Sequence, residues 1–142
     1  MLKVKTYLAV SPVHGIGVFA DEDIKRGTAI WEFNPAVDLR YSREEWQKLK
    51  ESISPQSFAA LERYTYKENN YYWLCLDNAQ FMNHCEEHYN VVNEISCLMR
   101  ARWDIKRGEE LLCNYFQYSD LDDVHLRCLR RAVTQTIAAL ES

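Results

Sequence analysis

The residues Phe81-Met82-Asn83-His84-Cys85 carry the most informative motif of this 142-residue chain. Their amide and imidazole groups can donate or accept hydrogen bonds with the polar edges of a bound ligand. An isolated Asn-His pair is more often part of a turn, and its histidine is then an ordinary structural residue. The segments on either side of this motif therefore decide how it is interpreted.

A turn with two glycines, His14-Gly15-Ile16-Gly17, lies N-terminal to this motif. It leads into a predicted strand, Val18-Phe19-Ala20. Glycine allows positive φ and lets the backbone approach a ligand closely. The turn is not the dinucleotide-binding G-x-G-x-x-G motif, because position 20 is alanine and no helix is predicted to follow. Alone, such a turn is more often an ordinary β-turn.

The third segment, Gly108-Glu109-Glu110-Leu111-Leu112-Cys113-Asn114-Tyr115, follows a polar turn near the C-terminal end. Without the other two segments, Tyr115 would be interpreted as part of an ordinary strand in the core.

In this order and spacing, the three segments resemble the motifs of SET-domain protein-lysine methyltransferases. The resemblance covers about residues 5–118. It includes Asp23-Ile24-Lys25-Arg26-Gly27 after the first motif. The chain differs from the family pattern at Cys85, where serine is common, at Asn114, where aspartate is usual, and at Gln80, where arginine is frequent. It lacks the cysteine-rich zinc-binding flanks of many members, and so is similar to compact bacterial and viral members.

The resemblance implies a mainly β fold with an α insert, in the α+β class. The expected architecture is a β-clip of several short curved sheets with a pseudo-knot. We expect the SET domain at residues 1–118, with a helical insert at about 42–66. Residues 119–142 are expected to form a C-terminal helix that closes the site or mediates a homodimer.

The resemblance also implies that S-adenosyl-L-methionine donates a methyl group to a lysine, leaving S-adenosyl-L-homocysteine, without a metal. The residues expected to bind this cofactor are His14, Gly15, Ile16, Gly17, Phe81, Met82, Asn83, His84 and Tyr115. Those expected to form the substrate channel are Tyr72, Cys113 and Phe116.

Tyr115 is the predicted catalytic residue. Its phenol oxygen can accept weak C–H···O contacts from the methyl group and polarise the site. The lysine must be neutral to attack, and a desolvated channel near a sulfonium cation should lower its pKa from about 10.4. Many family members carry Phe or Tyr at the position of Cys113, where it limits the number of methyl groups. The smaller cysteine predicts room for di- or trimethylation.

The residue pattern independently predicts many short strands and a few helices. Alternating residues 2–10 and aromatic residues 71–76 favour strands. Ser42 and Glu45 form a capping box that predicts a helix start, and Ser54-Pro55 predicts a second. After Asp120 the apolar spacing predicts a helix to the end of the chain.

The charge and composition of the chain limit the classes of binding partner and the cellular location that we expect. The net charge of −4 argues against a nucleic-acid-binding face. It is compatible with a lysine-bearing protein or peptide, such as a histone tail, and equally with a charge that only keeps the protein soluble. Five cysteines without a C-x-x-C pair fit reduced thiols. No signal peptide or 18-residue apolar run is present, so no membrane association is expected and the predicted location is cytoplasmic or nuclear.

Three alternatives remain open. The residues His84, Cys85, His88, Cys97 and Cys113 include enough ligands for a zinc site, although their spacing matches no standard motif. Cys85 is a candidate nucleophile of a Cys-His hydrolase, although nothing marks its base. A SET-like module that binds a peptide without catalysis is the third alternative.

Overall fold

A computed structural model of the protein describes residues 1–95, 97–126 and 138–140. The strands in these residues are β1 Thr6–Val10, β2 Ile16–Ala20, β3 Ala29–Glu32, β4 Asp38–Tyr41, β5 Thr65–Glu68, β6 Tyr71–Cys75, β7 Asn83–His84, β8 Val91–Ile95, β9 Leu98–Ala101 and β10 Leu112–Cys113. Two α-helices, α1 Arg43–Ser52 and α2 Pro55–Tyr64, lie between β4 and β5.

The strands form three small sheets, with the orders β1-β2, β3-β9-β8-β10-β7 and β4-β6-β5. This arrangement confirms the predicted mainly β fold with a helical insert. The short β10 pairs in parallel with both β7 and β8. The C-terminal motif therefore lies directly beside the Asn-His motif, as the expected pseudo-knot requires.

Local signals determine where the insert helices begin. The Ser42 hydroxyl accepts from the Glu45 N–H at 3.2 Å, and the Glu45 carboxylate accepts from the Ser42 N–H at 2.7 Å. The predicted capping box is thus confirmed. Ser54 caps α2, with Pro55 in its first turn, as predicted. The two helices meet through Trp46 and Phe58, whose ring centroids are 5.0 Å apart.

The core lies between the small sheets and consists mostly of aliphatic side chains. Val18, Ile30, Val91, Ile105 and Leu111 are at most 1% exposed. Burial of each such side chain stabilises the fold by roughly 1.5–3 kcal/mol. Val18 directly follows the glycine turn and Leu111 lies within the C-terminal motif, so the core also anchors these two motifs.

The repeated sequence Asp-Ile-Lys-Arg-Gly, at residues 23–27 and 104–108, forms a pair of matched turns. Ile24 and Ile105 exchange two backbone hydrogen bonds, each 2.8 Å long. Asp104 accepts from the Arg26 N–H at 2.8 Å, and Asp23 accepts from the Arg107 N–H at 2.9 Å. This reciprocal pairing holds the end of β2 against the segment that leads to β10.

The C-terminal part is helical at residues 124–126 and 138–140. The remainder of the predicted C-terminal helix lies outside the described residues. In the part of the chain that the structure describes, no helix has the length and apolar character needed to cross a membrane.

Candidate active site

A cavity of about 450 Å³ lies where the three sequence motifs meet. The predicted site residues in its wall are His14, Gly15, Ile16, Phe81, Met82, Asn83, Cys113 and Tyr115. The fold thus brings together residues that are about 100 positions apart in the chain, from the glycine turn to the C-terminal motif.

Four predicted site residues lie outside this wall, as far as the described residues define it. Gly17 is buried behind the glycine turn. His84 packs behind Tyr115, and Phe116 contacts the His84 ring edge-on at a centroid distance of 5.3 Å. Tyr72 stacks on Trp46 at 4.9 Å and lines a separate cavity of about 240 Å³.

Asn83 joins the glycine turn to the C-terminal motif. Its side-chain amide donates to the carbonyl oxygens of His14 and Ile16 at 2.8 and 3.3 Å, and to Oε1 of Glu110 at 3.0 Å. Asn83 is only 8% exposed, so these contacts satisfy a buried polar group. They also orient two backbone carbonyls of the turn that lines the cavity.

Asn90, which none of the three sequence motifs includes, holds the C-terminal motif from its other side. Its amide donates to the Glu110 carbonyl at 2.8 Å and accepts from the Leu112 N–H at 2.8 Å. The only sequence signal was a polar residue directly before the buried strand β8, which is too common a pattern to predict this role.

Tyr115 lies on a single 3₁₀ turn, Tyr115–Gln117, and not on a strand. The Asn114 side chain accepts from the Phe116 N–H at 3.0 Å and starts the turn. The Tyr115 N–H donates to Nδ1 of His84 at 3.0 Å. Interpreting Tyr115 from its own segment as strand core would therefore be wrong, because side-chain acceptors replace the strand partner.

The Tyr115 phenol is directed into the fold beside the Asn-His motif. Its O–H donates to the Met82 carbonyl at 2.7 Å. Burial raises the pKa of Tyr115 far above its ordinary value of 10.0, with smaller contributions from Cys113 and Asp123. The phenol therefore stays protonated at neutral pH, which makes it a dipole and a hydrogen-bonding group instead of a base.

The His84 imidazole must be unprotonated at Nδ1 to accept from the Tyr115 N–H. Burial lowers the pKa of His84 from 6.5, and the nearby carboxylate of Glu86 opposes this shift. The unfolded chain then binds this proton at a higher pH than the folded protein. Neutral His84 therefore contributes its full stabilisation above about pH 6.5. This contribution is lost as the pH falls through the lowered pKa that His84 has in the folded protein.

Replacing His84 with asparagine should reduce this acid sensitivity, because the asparagine Oδ1 can accept from the Tyr115 N–H and does not titrate. We expect the urea midpoint of the natural chain to fall more steeply below pH 6.5 than that of His84→Asn. Parallel urea titrations over that pH range provide the measurement. Identical pH dependence of the two proteins would contradict the role assigned to His84.

Aromatic and sulfur-bearing side chains line another part of the cavity. Cys113 Sγ lies 3.4 Å from the Tyr118 hydroxyl, and the Tyr118 ring meets Tyr66 edge-on at 5.2 Å. Burial raises the pKa of Cys113 to about 12 and that of Tyr118 well above its usual value. This wall is therefore uncharged at neutral pH. Tyr66 was not among the predicted site residues, because it falls at the end of the predicted helical insert at about 42–66.

The segment after Tyr118 closes one side of the cavity by binding to β5. Nε2 of His125 lies 3.2 and 2.9 Å from the carbonyl oxygens of Glu62 and Thr65, so this nitrogen carries a proton. The buried Asp123 carboxylate accepts from the N–H groups of Lys67 and His125. These contacts place Ser119 and His125 in the cavity wall, and neither was predicted.

The zinc and hydrolase alternatives find little support in this arrangement. Within residues 1–95, 97–126 and 138–140, no three His, Cys, Asp or Glu side chains form a group that could hold a metal ion. Cys85 Sγ accepts from the backbone N–H of His88 at 3.3 Å. That contact does not supply the imidazole base that a Cys-His nucleophile needs.

Comparison with known proteins gives a family match and several structural likenesses. A family model described as the SET domain matches residues 15–116. No curated protein sequence matches the chain.

A crystal structure of a Plasmodium falciparum protein, named as a candidate histone methyltransferase, is 23% identical with a TM-score of 0.51. The alignment covers 80% of this chain and 95% of that one. The polycomb repressive complex 2 of Chaetomium thermophilum is 22% identical with a TM-score of 0.59, over 87% of this chain and 16% of that chain. A structure of this complex in an autoinhibited conformation, bound to S-adenosylmethionine, is 22% identical with a TM-score of 0.59. That alignment covers 92% of this chain and 17% of that chain. The alignment thus spans nearly all of the Plasmodium chain in that crystal structure but under a fifth of the Chaetomium chain.

Proposed function

Because the chain belongs to the SET-domain family, we propose that it is a protein-lysine N-methyltransferase that uses S-adenosyl-L-methionine. The observation that carries this proposal is the cavity on which the glycine turn, the Asn-His motif and Tyr115 converge. Its volume of about 450 Å³ is within the range of ordinary small-molecule and cofactor sites.

The glycine turn leaves room for a bound ligand at Gly15. Gly15 has φ of +47°. Apart from Gly15 and its two chain neighbours, no described residue has an atom within 4 Å of the position that a Cβ would occupy. A ligand can therefore approach this backbone closely. His14, Gly15 and Ile16 would hold the cofactor from one side, and Phe81, Met82 and Asn83 from the other. Gly17 and His84 would support these groups from behind.

When bound, S-adenosyl-L-methionine supplies an electrophilic methyl group, and the protein supplies alignment and an appropriate environment. Alignment of donor and acceptor can account for a large part of the acceleration of a displacement reaction. The Tyr115 O–H donates to the Met82 carbonyl, so the lone pairs of its oxygen remain available for C–H···O contacts in the cavity. Tyr115 is therefore the proposed catalytic residue.

The uncharged wall formed by Tyr66, Cys113 and Tyr118 suits the lysine end of the site. A low-dielectric wall disfavours an ammonium group and so lowers the pKa of an entering lysine towards neutrality. Cys113 leaves more room than an aromatic residue would, but the Tyr118 hydroxyl lies 3.4 Å from its sulfur. Di- or trimethylation remains the proposed outcome, with Tyr118 also bounding the available space.

The proposed substrate is a lysine-bearing protein or peptide, for which a basic histone tail is one example. The net charge of −4 favours a basic partner. The channel roles of Tyr72 and Phe116, and a homodimer through the C-terminal segment, stay predictions.

The experiment combines cofactor binding with methyl transfer. Titration calorimetry with S-adenosyl-L-methionine should detect binding, and labelled cofactor should transfer its methyl group to lysine in a peptide or protein array. Mass spectrometry of the product should detect di- or trimethyl-lysine. Absence of binding at millimolar cofactor would contradict the proposal and leave the non-catalytic peptide-binding module. Monomethyl-lysine alone would contradict only the predicted methylation number.

A further inference from the structure

The Glu110 carboxylate lies behind the cavity and receives a hydrogen bond at each oxygen. Oε2 accepts from the Ser11 hydroxyl at 2.9 Å, and Oε1 accepts from the Asn83 amide at 3.0 Å. Both donors are uncharged and both are at least nine-tenths buried. Glu110 itself is absent from the cavity wall as the described residues define it.

Ser11 transmits this contact to the glycine turn. Its hydroxyl oxygen accepts from the N–H groups of Val13 and His14 at 2.9 and 3.2 Å while its hydrogen is donated to Glu110. Asn83 meanwhile donates to the carbonyls of His14 and Ile16. One carboxylate is thus connected to the beginning of the turn through Ser11 and to its end through Asn83.

Gly17 shows how closely the carboxylate packs against the turn. A Cβ at position 17 would lie 2.1 Å from Oε1 and 2.8 Å from Cδ of Glu110, and 3.0 Å from Cβ of Ser11. The requirement for glycine here therefore comes from the Glu110 side chain. The sequence pattern predicts close approach of a cofactor at Gly17, and the structure gives this glycine a different reason.

We infer that Glu110 is a positioning residue that holds the turn from Ser11 to Gly17 in the conformation needed for cofactor binding. This inference rests on the proposed function, since it concerns the same site. A carboxylate is required because both of its partners are donors, and an ionised carboxylate only accepts. In glutamine, one oxygen becomes an NH₂ group. Facing Asn83, this group would meet another donor. Facing Ser11, it would meet a hydroxyl oxygen whose two lone pairs already accept from the Val13 and His14 N–H groups.

The test compares Glu110→Gln with Glu109→Gln in the intact chain. Glu109 is a matched control because its exposed carboxylate caps the Lys106 N–H on the matched turn. With S-adenosyl-L-homocysteine as the calorimetric probe, Glu110→Gln should raise Kd by about tenfold or more, as expected for loss of a hydrogen bond to a charged group. Glu109→Gln should stay within about twofold. In Glu110→Gln the kcat at saturating cofactor should stay within about threefold, because Glu110 acts through the turn.

Two further measurements separate positioning from general stability. Hydrogen exchange of the Val13 and His14 amides should accelerate in Glu110→Gln, while exchange of the core strand β9 stays unchanged. Ser11→Ala should also raise the Kd for S-adenosyl-L-homocysteine. The double variant Ser11→Ala/Glu110→Gln should bind this probe no more weakly than the single variant with the higher Kd, because both substitutions break the same contact. If Glu110→Gln does not fold, Ser11→Ala carries the same test.

If Glu110→Gln leaves both the affinity for S-adenosyl-L-homocysteine and the hydrogen exchange of the Val13 and His14 amides unchanged, this inference alone is overturned. Loss of kcat with an unchanged KM for the cofactor would also overturn it. Failure of the natural chain to bind S-adenosyl-L-homocysteine would instead overturn the proposed function, and this inference with it.

Discussion

Replacing Tyr115 with phenylalanine should lower the rate of methyl transfer by about a hundredfold or more, the usual cost of removing a group that stabilises developing charge. The substitution keeps the ring and removes only the hydroxyl. Cofactor affinity should change much less than kcat, because the predicted role of the hydroxyl is at the reacting methyl group. Burial raises the pKa of Tyr115, so the pH–rate profile should show no loss of activity from its ionisation near pH 10.

The matching control is Tyr7→Phe. Tyr7 lies on β1, stacks on Phe19 at 5.5 Å and has no place in the cavity wall formed by the described residues. Stability should fall by about 1 kcal/mol in Tyr115→Phe, because the hydrogen bond to the Met82 carbonyl is lost. Single-turnover kinetics measures the transfer rate. A Tyr115→Phe variant that matches Tyr7→Phe in kcat would remove Tyr115 from the catalytic role.

Replacing Asn83 with aspartate should abolish measurable cofactor binding and destabilise the fold by roughly 3 kcal/mol. The carboxylate has nearly the same shape as the amide but cannot donate. It would face three acceptor oxygens, from the His14 and Ile16 carbonyls and the Glu110 carboxylate, inside a largely buried site. Like charges at positions 83 and 110 would push the glycine turn away from the C-terminal motif.

Asn78→Asp provides a control with the same chemical change. Among the described residues, the Asn78 amide donates to the Thr6 hydroxyl, at 3.3 Å, and a hydroxyl can reverse its role and donate to a carboxylate. Asn83→Asp should therefore have a lower urea midpoint and a weaker affinity for S-adenosyl-L-homocysteine than Asn78→Asp. If Asn83→Asp and Asn78→Asp had equal urea midpoints and equal affinities for S-adenosyl-L-homocysteine, Asn83 would not join the motifs as described.

The sequence predicted the elements whose signals are local. The capping box at Ser42 and the proline start of α2 appear where they were expected, because a helix start depends on residues within one turn. The three motifs indicated which segments converge, and most of their predicted residues line one cavity. That success came from the family resemblance, since each motif alone fitted an ordinary turn or strand.

Elements whose stability comes from distant partners were harder to predict. The polar strand β5, Thr65–Glu68, was not predicted, and its first two residues fall within the predicted helical insert at about 42–66. The strand pairs with β6 and carries Tyr66 into the cavity. Asn90 had no distinctive neighbours in sequence, although it holds the C-terminal motif at two backbone groups. Such residues become recognisable only when their hydrogen-bond partners are known.

The amino-acid sequence by itself determined the helix caps, the glycine turns and the family to which the three motifs belong, because these depend on residue type and short spacing. The tertiary structure alone decided which groups meet: Ser11 donates to Glu110 across 99 residues, and the two identical pentapeptides pair with each other. The physical reason is that a buried donor or acceptor must find a partner, and the folded path of the chain, not the adjacent sequence, determines which partner is within reach.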